Sequence, residues 1–174
     1  MKSSTNYFKH PASLVESSKI GKGTKIWAFV HILHDVDIGT NCNICDHCFI
    51  ESGVKIGNNV TVKCGISIWK GVTLGDNVML GPNVAFTNDV WPRSKNSGFK
   101  LEKILVKKGA TVGANSTILA GVTIGKYAMV GMGSVVTRNV PDYALVYGNP
   151  AKIKGWVDKS GKKLKKTGSK SEGN

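Results

Sequence analysis

Every sixth residue from Ile20 to Phe86 is apolar: Ile20, Ile26, Ile32, Ile38, Ile44, Ile50, Ile56, Val62, Ile68, Leu74, Leu80 and Phe86. The position four residues further on runs Thr24, Val30, Val36, Cys42, Cys48, Val54, Val60, Ile66, Val72, Val78 and Val84, and is small or β-branched throughout. Neither a 3.6-residue helical period nor a two-residue alternation produces that record. A fixed short period marks a solenoid, whose repeats bury their apolar residues only against their neighbours. Each hexad supplies a short strand and a corner, with its first and fifth residues pointing inward. Gly21, Gly39, Gly57, Gly75 and Gly81 follow inward residues, and Gly23, Gly53, Gly65 and Gly71 fall at corners, where the chain has to turn.

The period stops at Phe86 and restarts in a shifted phase at Val106, Val112, Ile118, Ile124, Val130 and Val136, with Ala110, Ser116, Val122, Ala128, Ser134 and Val140 four positions on. The segment between, TNDVWPRSKNSGFKLEKIL, is an excursion from the wall. A long loop in a compact repeat is usually functional. The expected organisation is a lead-in over residues 1–10, a solenoid over 11–140 with the loop at 87–105, and a cap with a basic tail over 141–174. His10-Pro11 is the expected start of the first strand. Apolar residues in Lys152 to Leu164 predict a strand or hairpin closing the open end.

The formal charge of +13 points to anionic ligands, and eight of the lysines crowd the last 23 residues. Aromatics do not interleave with these lysines as single-strand nucleic-acid binding requires, so phosphates of small molecules are the expected partners. No stretch reads as a signal peptide or membrane span, which favours the cytoplasm and no membrane partner. Cys42 and Cys48 stand at inward positions in place of valine, and Cys45 and Cys64 lack the paired spacing of a zinc knuckle.

The aliphatic-Gly hexads resemble the hexapeptide-repeat acyltransferases. The resemblance implies an all-β, left-handed parallel β-helix with 18 residues per coil, one extended loop and a short C-terminal cap. Gly148-Asn149-Pro150-Ala151-Lys152 is similar to the segment with which that family closes. IWAFVHI, NICDHCFIE, LGPNVAFTNDVWPRS and the stretch from Val122 to Trp156 further resemble the sugar-nucleotide 3-amino N-acetyltransferases. These act on dTDP-3-amino-3,6-dideoxyhexoses or on UDP-linked 3-amino uronates. NICDHCFIE resembles the dTDP branch, and Trp91-Pro92-Arg93 departs from the Asn-Pro-Arg of the uronate branch. The resemblance also implies a homotrimer with acetyl-CoA, the co-substrate, in the groove between adjacent β-helices, and no metal.

Residues 18 apart then stack about 4.8 Å apart along one column. His34, Ser52, Lys70 and Asn88 form one column, Glu51 and Trp69 the preceding one, and Asp89 leaves the wall on the following one. Asn88, which resembles the family's loop-entry Asn, is the candidate for holding the acceptor amine, and Asp89 for taking or orienting its proton. His34 and His47 are the alternative bases, although the resemblance implies a branch without an essential His. Glu51, Phe49, Trp69, Lys70 and Arg93 are the candidate substrate contacts, with Phe49 and Trp69 as a stacking platform for the base or as part of a trimer contact. Gly113, Ala120 and Gly131 leave room for a pantetheine arm and supply candidate oxyanion N–H donors. Arg138, Lys152 and Lys154 are candidates for the CoA phosphates. Two rivals fail on pattern. A γ-type carbonic anhydrase needs two His five apart, whereas His31 and His34 are three apart. An ice-binding solenoid needs a regular outward Thr array, which is missing.

Overall fold

The computed structural model describes residues 6–165. It is all-β, with two- to five-residue strands and no helix among the described residues. The strands form parallel ladders with a pairing step of eighteen residues, shortened to seventeen at the first coil, where Phe8 pairs with Lys25 and Leu14 with His31. Lys25 pairs with Asn43, Asn43 with Thr61 and Thr61 with Met79 on the first face. Leu14 pairs with His31, His31 with Phe49 and Phe49 with Ser67 on the second. Lys19, Asp37, Lys55 and Thr73 ladder on the third. The result is a three-faced parallel β-solenoid in which every third strand is a neighbour.

The core follows from the hexad. The last residue of each short strand from Lys25–Ile26 to Val135–Val136 is inward, and Ile26, Ile32, Ile44, Ile50 and Ile68 are fully buried. Each such side chain contributes about 1.5–3 kcal/mol of apolar burial. Five buried positions are hydroxyls instead, and all are satisfied, Ser13 donating to His10 O and Ser17 to Val36 O. Thr24 Oγ1 donates to Gly39 O (2.8 Å) and accepts from Cys42 N (3.0 Å). Ser116 and Ser134 both donate to Gly131 O. Cys42 and Cys48 are buried as expected, and burial pushes the Cys48 thiol up to about 11.

The glycines divide into two roles. At the corners, Gly53 and Gly71 adopt φ of 83° and 94°, which side chains rarely tolerate. The glycines after inward residues do not have positive φ. They are required by the coil above: a Cβ on Gly39 would lie 2.7 Å from the Gly57 carbonyl carbon. Close approach of stacked coils, not turning, selects glycine there.

Two boundaries differ from the sequence expectation. Phe8–Lys9 is already a strand, paired with Lys25–Ile26, so residues 8 and 9 extend the wall rather than lead into it. The strand after the loop begins at Ile104, because Ile104 pairs with Val72 and Leu105 with Thr73. Across the loop the stacking step grows from eighteen to 32 residues, with Ala85 pairing with Thr117. The loop is therefore an insertion at the corner between the second and third faces. At the far end Ala144–Tyr147 joins the first face and pairs antiparallel with Lys152–Trp156, a hairpin that buries Val157. Among the described residues no helix is long and apolar enough to cross a membrane. The basic tail beyond residue 165 lies outside the described residues.

Candidate functional site

The corner that emits the loop is a continuous column of side chains. Stacking the coils gives His34, Ser52, Lys70, Asn88, Ala120 and Arg138 from the N-terminal to the C-terminal end. Glu16 was not singled out from the sequence; the first coil is one residue short, so Glu16 stacks under Leu33 in the neighbouring column. Its carboxylate bridges His31 Nε2 (2.9 Å) and His34 Nδ1 (3.7 Å). The hydrogen bond to His31 holds the Glu16 carboxyl below the ordinary carboxylate value. Ser52 Oγ is buried and has no partner among the described residues. The Glu51 carboxylate accepts from the Lys70 N–H at 2.7 Å and closes that corner.

Aromatics line the edge beside this column. Phe49 stands 5.6 Å from the His31 ring and 5.7 Å from the Trp69 ring, centroid to centroid. Both residues are half-buried, with Trp69 packed against the core. This is a supported, semi-exposed ring surface one column from Lys70.

The loop neck is tied across the insertion. Thr87 Oγ1 accepts from Ala120 N at 2.8 Å, and Asn88 O accepts from Glu102 N at 3.3 Å. Asn88 is thus the last residue before the chain leaves the wall, and Glu102 stands where it returns. Asp89 Oδ1 accepts from Trp91 N at 2.8 Å, so this carboxylate first shapes the turn of the loop itself. Arg93 donates from its guanidinium to Pro92 O, and Trp91 is 80% exposed. Asp89, Val90, Trp91, Asn96, Lys100 and Glu102 line a cleft under the loop. Among the described residues no three His, Cys, Asp or Glu side chains gather as metal ligands.

The bacterial transferase hexapeptide description, six repeats, matches residues 17–52, 53–88 and 103–138. The chain belongs to the hexapeptide-repeat transferase family. Its break at 89–102 falls on the inserted loop. Over 163 residues it is 65% identical to the dTDP-3-amino-3,6-dideoxy-α-D-galactopyranose 3-N-acetyltransferase of Aneurinibacillus thermoaerophilus, covering 94% of this chain and 85% of that one. Two solved structures share the fold. One is AntD, an N-acyltransferase from Bacillus cereus in complex with dTDP and 3-hydroxybutyryl-CoA (TM-score 0.61, 18% identity, 81% of this chain and 84% of that one). The other is the acetyltransferase domain of PglB from Neisseria gonorrhoeae in complex with acetyl coenzyme A (TM-score 0.60, 19% identity, 83% of this chain and 55% of that one). The parallel solenoid is consistent with the left-handed β-helix of this family.

Within this hexapeptide-repeat chain the sequence-derived candidates separate into groups. His34, Lys70, Asn88, Ala120 and Arg138 share one column, with Glu51 and Trp69 beside it. His34 lies three coils from Asn88, about 14 Å along the column, and pairs with Glu16. His47 stands at a different corner, between the first and second faces, stacked 4.9 Å from Phe29. Gly113 and Gly131 stack at that other corner too, across the second face from Ala120. Lys152 and Lys154 lie on the terminal hairpin, with Lys154 Nζ 5.5 Å from the Tyr147 ring centroid.

The three candidate oxyanion donors are already engaged. Gly113 N donates to Val130 O, Gly131 N to Val146 O and Ala120 N to Thr87 Oγ1, each at 2.8 Å. The residue after each is different: the N–H groups of Ala114, Gly121 and Met132 make no hydrogen bond among the described residues. At other corners the next N–H is taken by a side-chain oxygen, as Thr40 N is by Asn58 Oδ1 and Lys126 N by Asp142 Oδ1. Counting eighteen from a given residue does not reveal which N–H groups are spent.

Proposed function

We propose that this chain transfers the acetyl group of acetyl-CoA to the 3-amino group of a dTDP-linked 3-amino-3,6-dideoxyhexose, with the galacto sugar as the acceptor. The observation that carries this reading is the 65% identity, over 94% of the chain, to an enzyme of that name. The site geometry supports it. The loop-entry Asn88 sits at the corner where a column of polar side chains meets a cleft, and its amide has the reach to hold an amine by a hydrogen bond.

The chemistry asks for three things. The neutral amine must be aligned with the thioester carbonyl, the oxyanion must be stabilised, and a proton must leave the nitrogen. Asn88 serves the first. The open N–H of Gly121, one residue past Ala120 in the Asn88 column, serves the second, with those of Ala114 and Met132 available to a pantetheine amide. Phe49 and Trp69 stack with the nucleobase, while Lys70 and Arg93 meet the diphosphate. Arg138, Lys152 and Lys154 are assigned to the CoA phosphates. We assign the active species as a homotrimer with acetyl-CoA between adjacent solenoids. The exposed apolar side chains of Trp27, Phe29 and Met132 support such contacts. We place it in the cytoplasm, where acetyl-CoA and nucleotide sugars are made, as a step towards a surface-glycan sugar.

The test is product analysis after incubation with acetyl-CoA and dTDP-3-amino-3,6-dideoxygalactose. An added acetyl group that survives mild base is the N-acetyl product. An acetyl group removed by mild base would be an O-ester, and the reading would fail.

A further inference from the structure

We infer that Glu102 is the group that takes the proton from the acceptor nitrogen, an inference that rests on the acetyl transfer proposed above. Glu102 is the first residue of the loop's return to the wall. Its own N–H donates to Asn88 O at 3.3 Å, so the side chains of Asn88 and Glu102 leave the same corner, one on each side of the loop neck. Glu102 Oε2 lies 3.8 Å from where a Cβ on Gly121 would stand, so the carboxylate extends over the next coil beside the open Gly121 N–H. Oε2 has no hydrogen-bond partner among the described residues, while Oε1 stands 3.4 Å from Lys100 Nζ. The side chain is 37% exposed and lines the cleft under the loop, open to an incoming sugar.

Asp89 lines the same cleft, but its Oδ1 is held by the Trp91 N–H and shapes the loop. Each carboxylate keeps one oxygen free of hydrogen bonds among the described residues, but it is Glu102 Oε2, not Asp89, that lies over Gly121. An amine held by Asn88 and attacking a carbonyl over Gly121 has Glu102 next to it.

The step balances as follows. The amine lone pair forms the C–N bond, and the carbonyl π electrons become the oxyanion held by the Gly121 N–H. Glu102 Oε2 takes one N–H proton from the tetrahedral adduct. The oxyanion re-forms the carbonyl, the C–S bond breaks, and the CoA thiolate leaves. Glu102 returns the proton to that sulfur, leaving amide, free CoA thiol and an ionised Glu102.

The experiment compares wild type with Glu102→Gln and Glu102→Ala, using acetyl-CoA and the dTDP-3-amino sugar. Gln keeps the shape and the backbone bond to Asn88, so both variants are first matched to wild type in melting temperature. For Glu102→Gln, kcat falls about 100-fold or more while the KM for acetyl-CoA is unchanged. Added formate or azide, small bases that fit an open cleft, restore part of the kcat of Glu102→Ala. Glu102→Gln within about threefold of wild-type kcat would overturn the assignment. So would a large loss in Glu102→Ala that no small base restores. A wild-type enzyme that leaves the sugar amine untouched would refute the acetyl-transfer reading itself, and Glu102's role with it, whereas an active wild type with an active Gln variant would refute Glu102 alone.

Discussion

Replacing Thr87 with Val tests the loop neck. Thr87 Oγ1 accepts from Ala120 N at 2.8 Å, a bond that reaches across the inserted loop to the next coil. Ala120 is only 5% exposed. Val has nearly the same shape, so Thr87→Val leaves packing in place and removes only the acceptor. A buried N–H left without a partner costs about 1–3 kcal/mol. The hydroxyl's own contact to Ile118 O is 3.4 Å and adds little. For a chain of this size each kcal/mol lowers the melting temperature by about 2–4 °C, so a loss of about 2 kcal/mol lowers it by about 4–8 °C. The assay is thermal unfolding at one fixed protein concentration, because assembly would otherwise shift the midpoint. Thr87→Ser restores the acceptor and recovers most of the loss. A Thr87→Val midpoint within about 1 °C of wild type would refute the claim that this hydroxyl closes the neck.

Two further outcomes follow from the placement of side chains. Asn88→Ala lowers turnover more than His31→Ala, His34→Ala or His47→Ala, because of the four only Asn88 stands at the loop neck, its carbonyl bonded to the Glu102 N–H. Steady-state kinetics on the four variants checks this, and the account fails if one His change abolishes activity while Asn88→Ala keeps most of it. With a thiol reagent at mildly alkaline pH, exposed Cys64 reacts first, while Cys48, whose thiol burial pushes up to about 11, reacts only on unfolding. Rapid labelling of Cys48 in the native protein would contradict the packed wall.

The wall is legible in the sequence because the inward positions tolerate so little. A coil with Ile26, Ile44 and Val62 stacked on each other leaves room only for aliphatic or small side chains, so the period survives from Ile20 to Phe86 without a break. The column through His34, Ser52, Lys70 and Asn88 is legible for the same reason, since an eighteen-residue step follows once three hexads make a coil. Beyond Phe86 that arithmetic fails. Glu102 becomes visible only by counting backwards from Val106, which aligns it with Lys70 on the coil below. Ala120 and Arg138 join the Asn88 column only once the 32-residue step across the loop is known. The direction of Asp89 is a local choice, a short carboxylate bonding two residues ahead, and periodicity carries no information about it. The occupied N–H groups at Gly113 and Gly131 reflect ladder bonds between coils, and that at Ala120 a side-chain bond to Thr87 across the inserted loop, neither of which composition encodes.

The most direct test of the central claim is release of CoA thiol from acetyl-CoA with three acceptors side by side: dTDP-3-amino-3,6-dideoxygalactose, its gluco epimer and a UDP-linked 3-amino uronate. The account predicts the highest kcat/KM for the dTDP-linked galacto sugar and none above background for the UDP uronate. Release with the UDP uronate alone, or with none of the three, would contradict it.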